Sequence, residues 1–154
     1  MLELFRSVPE IVYALILVWT FGVGPLAGIV AIALHTVGAL GKLFAEVVEN
    51  VDMRPWDALR GAGANWVKSV RFGILPQVLP NFLSYVLLRF EINVRGATVI
   101  GFVGAGGIGQ ELYSVISFNY YQEISAIVAL VILTVSLIDL TSETLRRSVI
   151  GQTP

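Results

Sequence analysis

Residues 11–41 read IVYALILVWTFGVGPLAGIVAIALHTVGALG, thirty-one consecutive positions without a formally charged side chain. About 20 apolar residues carry a helix across a bilayer. The run is therefore too long for one ordinary span and rather short for two. Gly22-Val23-Gly24-Pro25 interrupts it, and glycine with proline is the strongest local break. The reading is a helix from Phe5 to Phe21, a tight turn, and a second helix from Leu26 to Val48. The second helix runs out into the charged stretch Lys42–Asp52.

The whole chain has the same bias. Of its 154 residues, 56% are hydrophobic and 14% charged, and the mean hydropathy is +0.80. A soluble domain carries about 25% charged residues. So much apolar surface excludes disorder and disfavours a water-soluble globule of this size. An integral membrane protein in contact with lipid is the class that remains. The formal net charge of −1 argues against nucleic-acid binding, which needs a basic excess. Without cysteine there are no disulfides, thiol nucleophiles or cysteine-zinc sites. One histidine, His35, excludes a histidine-rich metal centre. The N-terminus does not read as a cleaved signal, because Glu3 and Glu10 outweigh Arg6 and no small-residue cleavage site follows.

Further along, residues 52–71 are the most polar part of the chain, with Asp52, Arg54, Asp57, Arg60, Lys68 and Arg71. A third apolar run, Phe72–Leu88, is entered past Pro76 and Pro80 and continues through Arg89, Glu91 and Arg95. The glycine-rich stretch Gly96–Gly109 is expected to be irregular, and the short apolar segment Leu112–Tyr121 follows it. A last span covers Glu123–Asp139 and is closed by Arg146 and Arg147. There is no internal repeat or low-complexity segment. With four spans, Arg6, Lys42, Arg54, Arg60, Lys68, Arg71, Arg146 and Arg147 fall on one side. Lys and Arg mark the cytoplasmic side, so both termini and the polar loop are expected there. Glu111, Glu123 and the Gly22–Pro25 turn are expected opposite.

The polar loop carries the strongest signal. Pro55 suits the first turn of a helix. Leu59, Gly63, Trp66, Val67 and Val70 share one helical face, with Arg60, Asn65, Lys68 and Arg71 mostly off it. That pattern predicts a short amphipathic helix in a cytoplasmic loop, with Trp66 at the lipid boundary. An ordinary interfacial anchor is the plain alternative. The segment also resembles the loop signature of the permease subunits of bacterial ABC importers: Glu-Ala-Ala, a Gly after three residues, then nine residues and Ile-x-Leu-Pro. Asp57-Ala58-Leu59 takes the first place, Gly63 the second, and Leu75-Pro76 the last. Asp57 replaces Glu, Leu59 replaces the second Ala, and Gly73 stands at the Ile place. The run Arg95–Leu112, with Gly104-Ala105-Gly106-Gly107-Ile108-Gly109, resembles phosphonate importer permeases most, and methionine importer permeases next.

The resemblance implies an all-α, polytopic transmembrane helical bundle with the MetI-like fold of type I ABC importers. Residues 1–154 would be one partial permease domain, the C-terminal portion with about four spans, from a truncated or split subunit. Residues 52–76 would be its cytoplasmic coupling loop. Asp57, Ala58, Leu59, Gly63, Leu75 and Pro76 would then couple to a cytoplasmic ABC ATPase. The other implied partners are a second permease copy and a periplasmic or surface phosphonate-binding protein. The implied location is the bacterial cytoplasmic (inner) membrane, in a multi-pass arrangement, with no cofactor, no metal and no catalytic residue. A permease for methionine or another small anion is the neighbouring alternative. Asp57 near a helix N-terminus is itself favoured, by about 0.3–1 kcal/mol.

Two further patterns bear on function. Gly104-x-Gly106-x-x-Gly109 fits the dinucleotide fingerprint literally, with Thr98–Val103 as its strand. The acid required about 20 residues later is missing, since Glu123 is too near and Asp139 too far, so an NAD-binding enzyme is disfavoured. No P-loop motif is present, so energy must come from a partner. Arg89, Glu91, Asn93 and Arg95 are the ionisable and polar groups within or at the edge of a span, where such groups face protein or a water path. One reading makes them part of a translocation path, with Arg89 or Arg95 attracting an anionic phosphonate. The other makes Glu91–Arg95 a structural i, i+4 pair with snorkelling arginine stems. His35 with Thr36, and Asn81 with Ser84, fit helix–helix hydrogen bonds as readily as substrate contact. Asp139 is expected to meet backbone or a basic group such as Arg146.

Overall fold

The computed structural model describes residues 7–150. The proposed start of the first helix at Phe5 and the placement of Arg6 lie outside them, as do the first six residues of the Met1–Glu10 stretch read against a cleaved signal. Helix α1 is Glu10–Phe21 and α2 is Pro25–Glu49. The polar loop holds α3 (Arg54–Gly61) and α4 (Trp66–Ser69). A π-helical segment (Val70–Ile74) then leads into α5 (Leu75–Gly101). Helix α6 is Ile108–Ser117 and α7 is Tyr121–Ile150. The described residues contain no strand, so Thr98–Val103 is not the strand a dinucleotide fingerprint requires. Helix α5 runs through Gly96 as far as Gly101, and the irregular backbone is confined to residues 102–107.

Small residues set the packing. The buried positions of α2 are Ala27, Gly28, Ala31, Gly38 and Ala39, which lie three, four or seven residues from Ala31 or next to one that does, and so form one stripe. Ala14 of α1, Ala31, Ile100 and Ala105 make the centre of the core. Close approach through small side chains is how helices associate where lipid removes the hydrophobic drive between them. The large apolar residues point outward instead: Trp19 is 94% exposed, and Leu130, Ile132, Leu133, Leu137 and Leu140 line the outside of α7. In water that surface would be an aggregation site; against lipid or a second chain it is in place.

Among the described residues, two helices are long and apolar enough to cross a membrane, Pro25–Glu49 and Tyr121–Ser148. Helix α5 matches them in length with 27 residues but carries Arg89, Glu91 and Arg95. Helix α1, at 12 residues, reaches about 18 Å, short of the roughly 30 Å hydrocarbon core.

The ends of the bundle are distinct. At one end the α1–α2 turn meets the α5–α6 loop, where Gly24 N–H donates to the Gly104 carbonyl at 3.0 Å. Beside it α5 and α6 cross in direct backbone contact. Gly101 lies against Gly109, and the Thr98 carbonyl occupies the place a Gly109 side chain would need. The polar loop lies at the opposite end, where the Gln77 side chain donates to the Asp52 carbonyl at 3.0 Å. Phe44 and Phe82 stack there between α2 and α5, with centroids 4.2 Å apart. Helix α7 runs antiparallel to α5, as the Arg95–Asp139 pair and the groove shared by Thr98 and Thr134 require. Arg146 and Arg147 therefore lie toward the polar-loop end, as the charge distribution predicts.

Candidate functional site

Two polar constructions stand out, one on the surface and one inside. The surface one is the loop. Asp52 Oδ1 accepts from the Arg54 amide at 3.0 Å and starts α3, with Pro55 in its first turn. Asp57 sits in that first turn, so its negative charge faces the favourable end of the helix dipole. The helix stops at Gly63. Ala64 N–H donates to the Leu59 carbonyl and Gly63 N–H to that of Arg60, both at 3.0 Å. Gly63 has φ +83° with nothing around its missing side chain. That is a Schellman stop, and it asks for glycine because of the backbone angle rather than because of crowding.

The chain restarts at once. The Asn65 side chain accepts from the Lys68 amide at 2.9 Å and caps α4. The single amphipathic helix expected across residues 59–70 is therefore two short helices joined by a left-handed glycine. Trp56 and Trp66 meet edge to face with centroids 6.4 Å apart. Leu75 N–H reaches back to the Val70 carbonyl, the wide turn of a π segment. Gly73 is buried against α3: a side chain there would meet the Trp56 amide at 3.2 Å and Leu59 Cδ1 at 3.3 Å. Gln77 covers the Gly73 carbonyl with its side-chain amide. Gly73, a departure from the family pattern, thus lets α3 seat directly on the start of α5. Asp57, Ala58 and Gly63 are exposed, and so are Leu75 and Pro76 at the head of α5, with Leu59 half-buried beneath them.

The interior construction joins three helices. Arg89 of α5 is 9% exposed. Its guanidinium donates to His35 Nδ1 of α2 and, through Nε, to Thr36 Oγ1 at 3.4 Å. Its NH2 group lies 3.8 Å from Glu10 Oε2 of α1. Thr36 and Asn93 hydrogen-bond each other, with Asn93 Nδ2 donating at 2.9 Å. Glu10 Oε2 is also 3.4 Å from His35 Nδ1, and it is buried without a hydrogen bond. The other carboxylate oxygen, Oε1, lies where a side chain on Gly96 would be.

Of the four path candidates, Arg89 and Asn93 thus come together through Thr36. Arg95 does not pair with Glu91. It turns to α7 and donates to Asp139 at 2.8 and 2.7 Å, so Asp139 meets Arg95 rather than Arg146. Glu91 is 9% exposed and lies outside both groups. Glu10 was missed as a site residue and His35 was left between two roles. The sequence held the signal: each is a lone ionisable group beside or within an apolar run, and such a group needs a partner on another helix. Among the described residues no group of acidic and histidine side chains could hold a metal ion.

An all-helical bundle with a small-residue core, an apolar exterior and a structured polar loop at one end defines a polytopic membrane protein of the transport-permease type. The chain belongs to the family of binding-protein-dependent transport system inner membrane components, whose sequence model matches residues 1–150. It is similar to the phosphite transport system permease protein of Stutzerimonas stutzeri, with 44% identity over 147 residues, 96% of this chain and 54% of that protein. A putative cryptic phosphonate transport system permease protein of Escherichia coli (strain K12) is 47% identical over 117 residues, 76% of this chain and 96% of that protein. The chain spans about half the length of the Stutzerimonas stutzeri relatives it matches. The fold is that of solved ABC importers. A methionine ABC transporter in inward-facing form gives a TM-score of 0.75 at 24% identity, covering 96% of this chain and 72% of that one. An amino acid ABC transporter gives 0.76 at 18% identity with the same coverage.

Proposed function

We propose that this chain is the membrane-spanning part of an ABC importer for phosphonate or phosphite, coupled to a cytoplasmic ATPase through residues 52–76. The observation that carries the reading is the loop itself. Two short helices are fixed to each other by the Gly63 stop and the Asn65 cap, and are seated on α5 through Gly73. A lever must be rigid and must be joined to what it moves, and this loop is both. Asp57, Ala58, Leu59 and Gly63 form the docking edge, and Leu75-Pro76 begins the helix that receives the motion. ATP binding by the partner would bias two arrangements of the helices.

A second permease copy would complete the pathway, and a periplasmic or surface binding protein would deliver the anion. Arg89 and Asn93, with Glu91 between them and Arg95 further along α5, are the groups offered to it. The chain moves its substrate without making or breaking a covalent bond. The test is co-purification from detergent with the ATPase and methylphosphonate uptake in vesicles. The intact loop retains the ATPase and supports uptake. Asp57→Lys and Gly63→Arg lose both while still inserting in the membrane. Normal co-purification and uptake in those variants would remove the coupling role.

A further inference from the structure

The interior cluster is unevenly satisfied, and the unevenness has a chemical meaning. An arginine has only donors, so the contact from Arg89 fixes His35 Nδ1 as an acceptor. The same nitrogen therefore cannot donate to Glu10, although Glu10 Oε2 is 3.4 Å away. Glu10 is held by charge, 3.8 Å from the guanidinium, and its buried oxygen makes no hydrogen bond. A tie built for stability would close those bonds, because an unmet bond on a buried charged oxygen is costly. Thr36 and Asn93 bond each other and hold the Nε side of Arg89. Its NH2 nitrogen faces both His35 and Glu10. Glu10 is the first residue of α1 and follows Pro9, and Gly96 offers its carboxylate a notch with no side chain in it. A carboxylate at a helix end, with its buried oxygen in contact but not hydrogen-bonded, is placed to leave.

We infer that Glu10 is the resident counter-anion of an oxyanion site at Arg89 and His35, and that the transported anion displaces it. This rests on the phosphonate or phosphite reading above. A tetrahedral oxyanion brings three oxygens where the carboxylate brings two. It can take paired guanidinium hydrogen bonds at about 2.7–2.9 Å, closer than Glu10 stands. Thr36 and Asn93 are positioning residues that hold the guanidinium plane. The site is neutral when empty and neutral when a monoanion replaces Glu10, so the buried charge does not change on exchange.

The test uses the assembled permease–ATPase complex in detergent, with methylphosphonate as probe and chloride as control. Glu10→Gln removes the competitor, so methylphosphonate binds about tenfold more tightly or more, the order expected when one facing charge is removed at this distance. The same variant melts at a lower temperature in chloride, and methylphosphonate restores its Tm. Arg89→Gln binds no methylphosphonate and its Tm is not restored. Should Glu10→Gln fail to assemble, Glu10→Asp carries the test: it keeps the charge, draws the carboxylate back, and tightens binding by a smaller factor. Unchanged or weaker binding in the folded Glu10 variants would overturn the displacement role. Uptake of methylphosphonate by the wild type together with that result would leave the transport reading standing. A wild-type importer that takes up no methylphosphonate or phosphite would overturn the transport reading itself.

Discussion

The loop around Gly63 and the cluster around Arg89 are the two polar constructions of an apolar chain, and they are built in opposite ways. The loop is continuous in sequence, largely exposed, and held by local hydrogen bonds to its backbone: the Arg54 amide on Asp52 Oδ1, a stop at Gly63, a cap at Asn65. The cluster draws one residue from α1, two from α2 and two from α5, is half-buried around a buried Arg89, and is held by side chains. The loop's contacts run within itself and to the start of α5, as the proposed lever requires. The cluster exists only in one register of α1, α2 and α5, so a relative motion of those helices must remake it. On the proposed reading, rigidity is placed where force would arrive, and exchangeable contacts where an anion would pass.

That contrast can be broken by substitution. The largest effect is expected in the loop: Asp57→Lys or Gly63→Arg abolishes uptake with no loss of membrane insertion, checked by vesicle uptake beside membrane fractionation. Next comes Arg89→Gln, which takes the donors from His35 and Thr36 and destabilises the bundle by about 1–3 kcal/mol, read from denaturation in detergent. Loop substitutions should leave that denaturation curve unmoved, and a shared shift would erase the distinction between the two regions. Gly109→Val forces α5 and α6 apart where the Thr98 carbonyl fills the available space. Overpacking of this kind costs about 1–3 kcal/mol, and the same denaturation series measures it. The smallest effect is expected for Asp139→Asn. Its partner Arg95 is half-exposed, and exposed pairs contribute little; a loss as large as that of Gly109→Val would make α5–α7 a second interior lock.

How much of this could be read beforehand follows from the same contrast. The helices on either side of Gly22–Pro25 were legible because missing charges and a glycine–proline break are local facts. The family motif was legible for the same reason. The break inside the loop was not read, although Gly63 and the Asn65 cap marked it, because the apolar face continues in phase across the gap. The extent of α5 was misread because glycines at 96 and 101 were taken as loop signals; in the bundle they are places of close approach. The partners of Arg89 and Arg95 were out of reach. His35 and Arg89 are 54 residues apart, and Arg95 and Asp139 are 44 apart. Their meeting depends on helix register, which the contact of Gly24 with Gly104 helps to set and no short-range pattern encodes.

The central claim is that the loop lies at the inner face of the membrane, against an ATPase. The chain has no cysteine, so Asp57→Cys gives a single reactive thiol at the docking edge. Labelling it with a membrane-impermeant maleimide, in inverted and right-side-out vesicles with and without the ATPase, is the most direct test. The account predicts labelling in inverted vesicles alone, suppressed when the ATPase is bound. Labelling from the outer side, or labelling in inverted vesicles that the ATPase leaves unchanged, would contradict it.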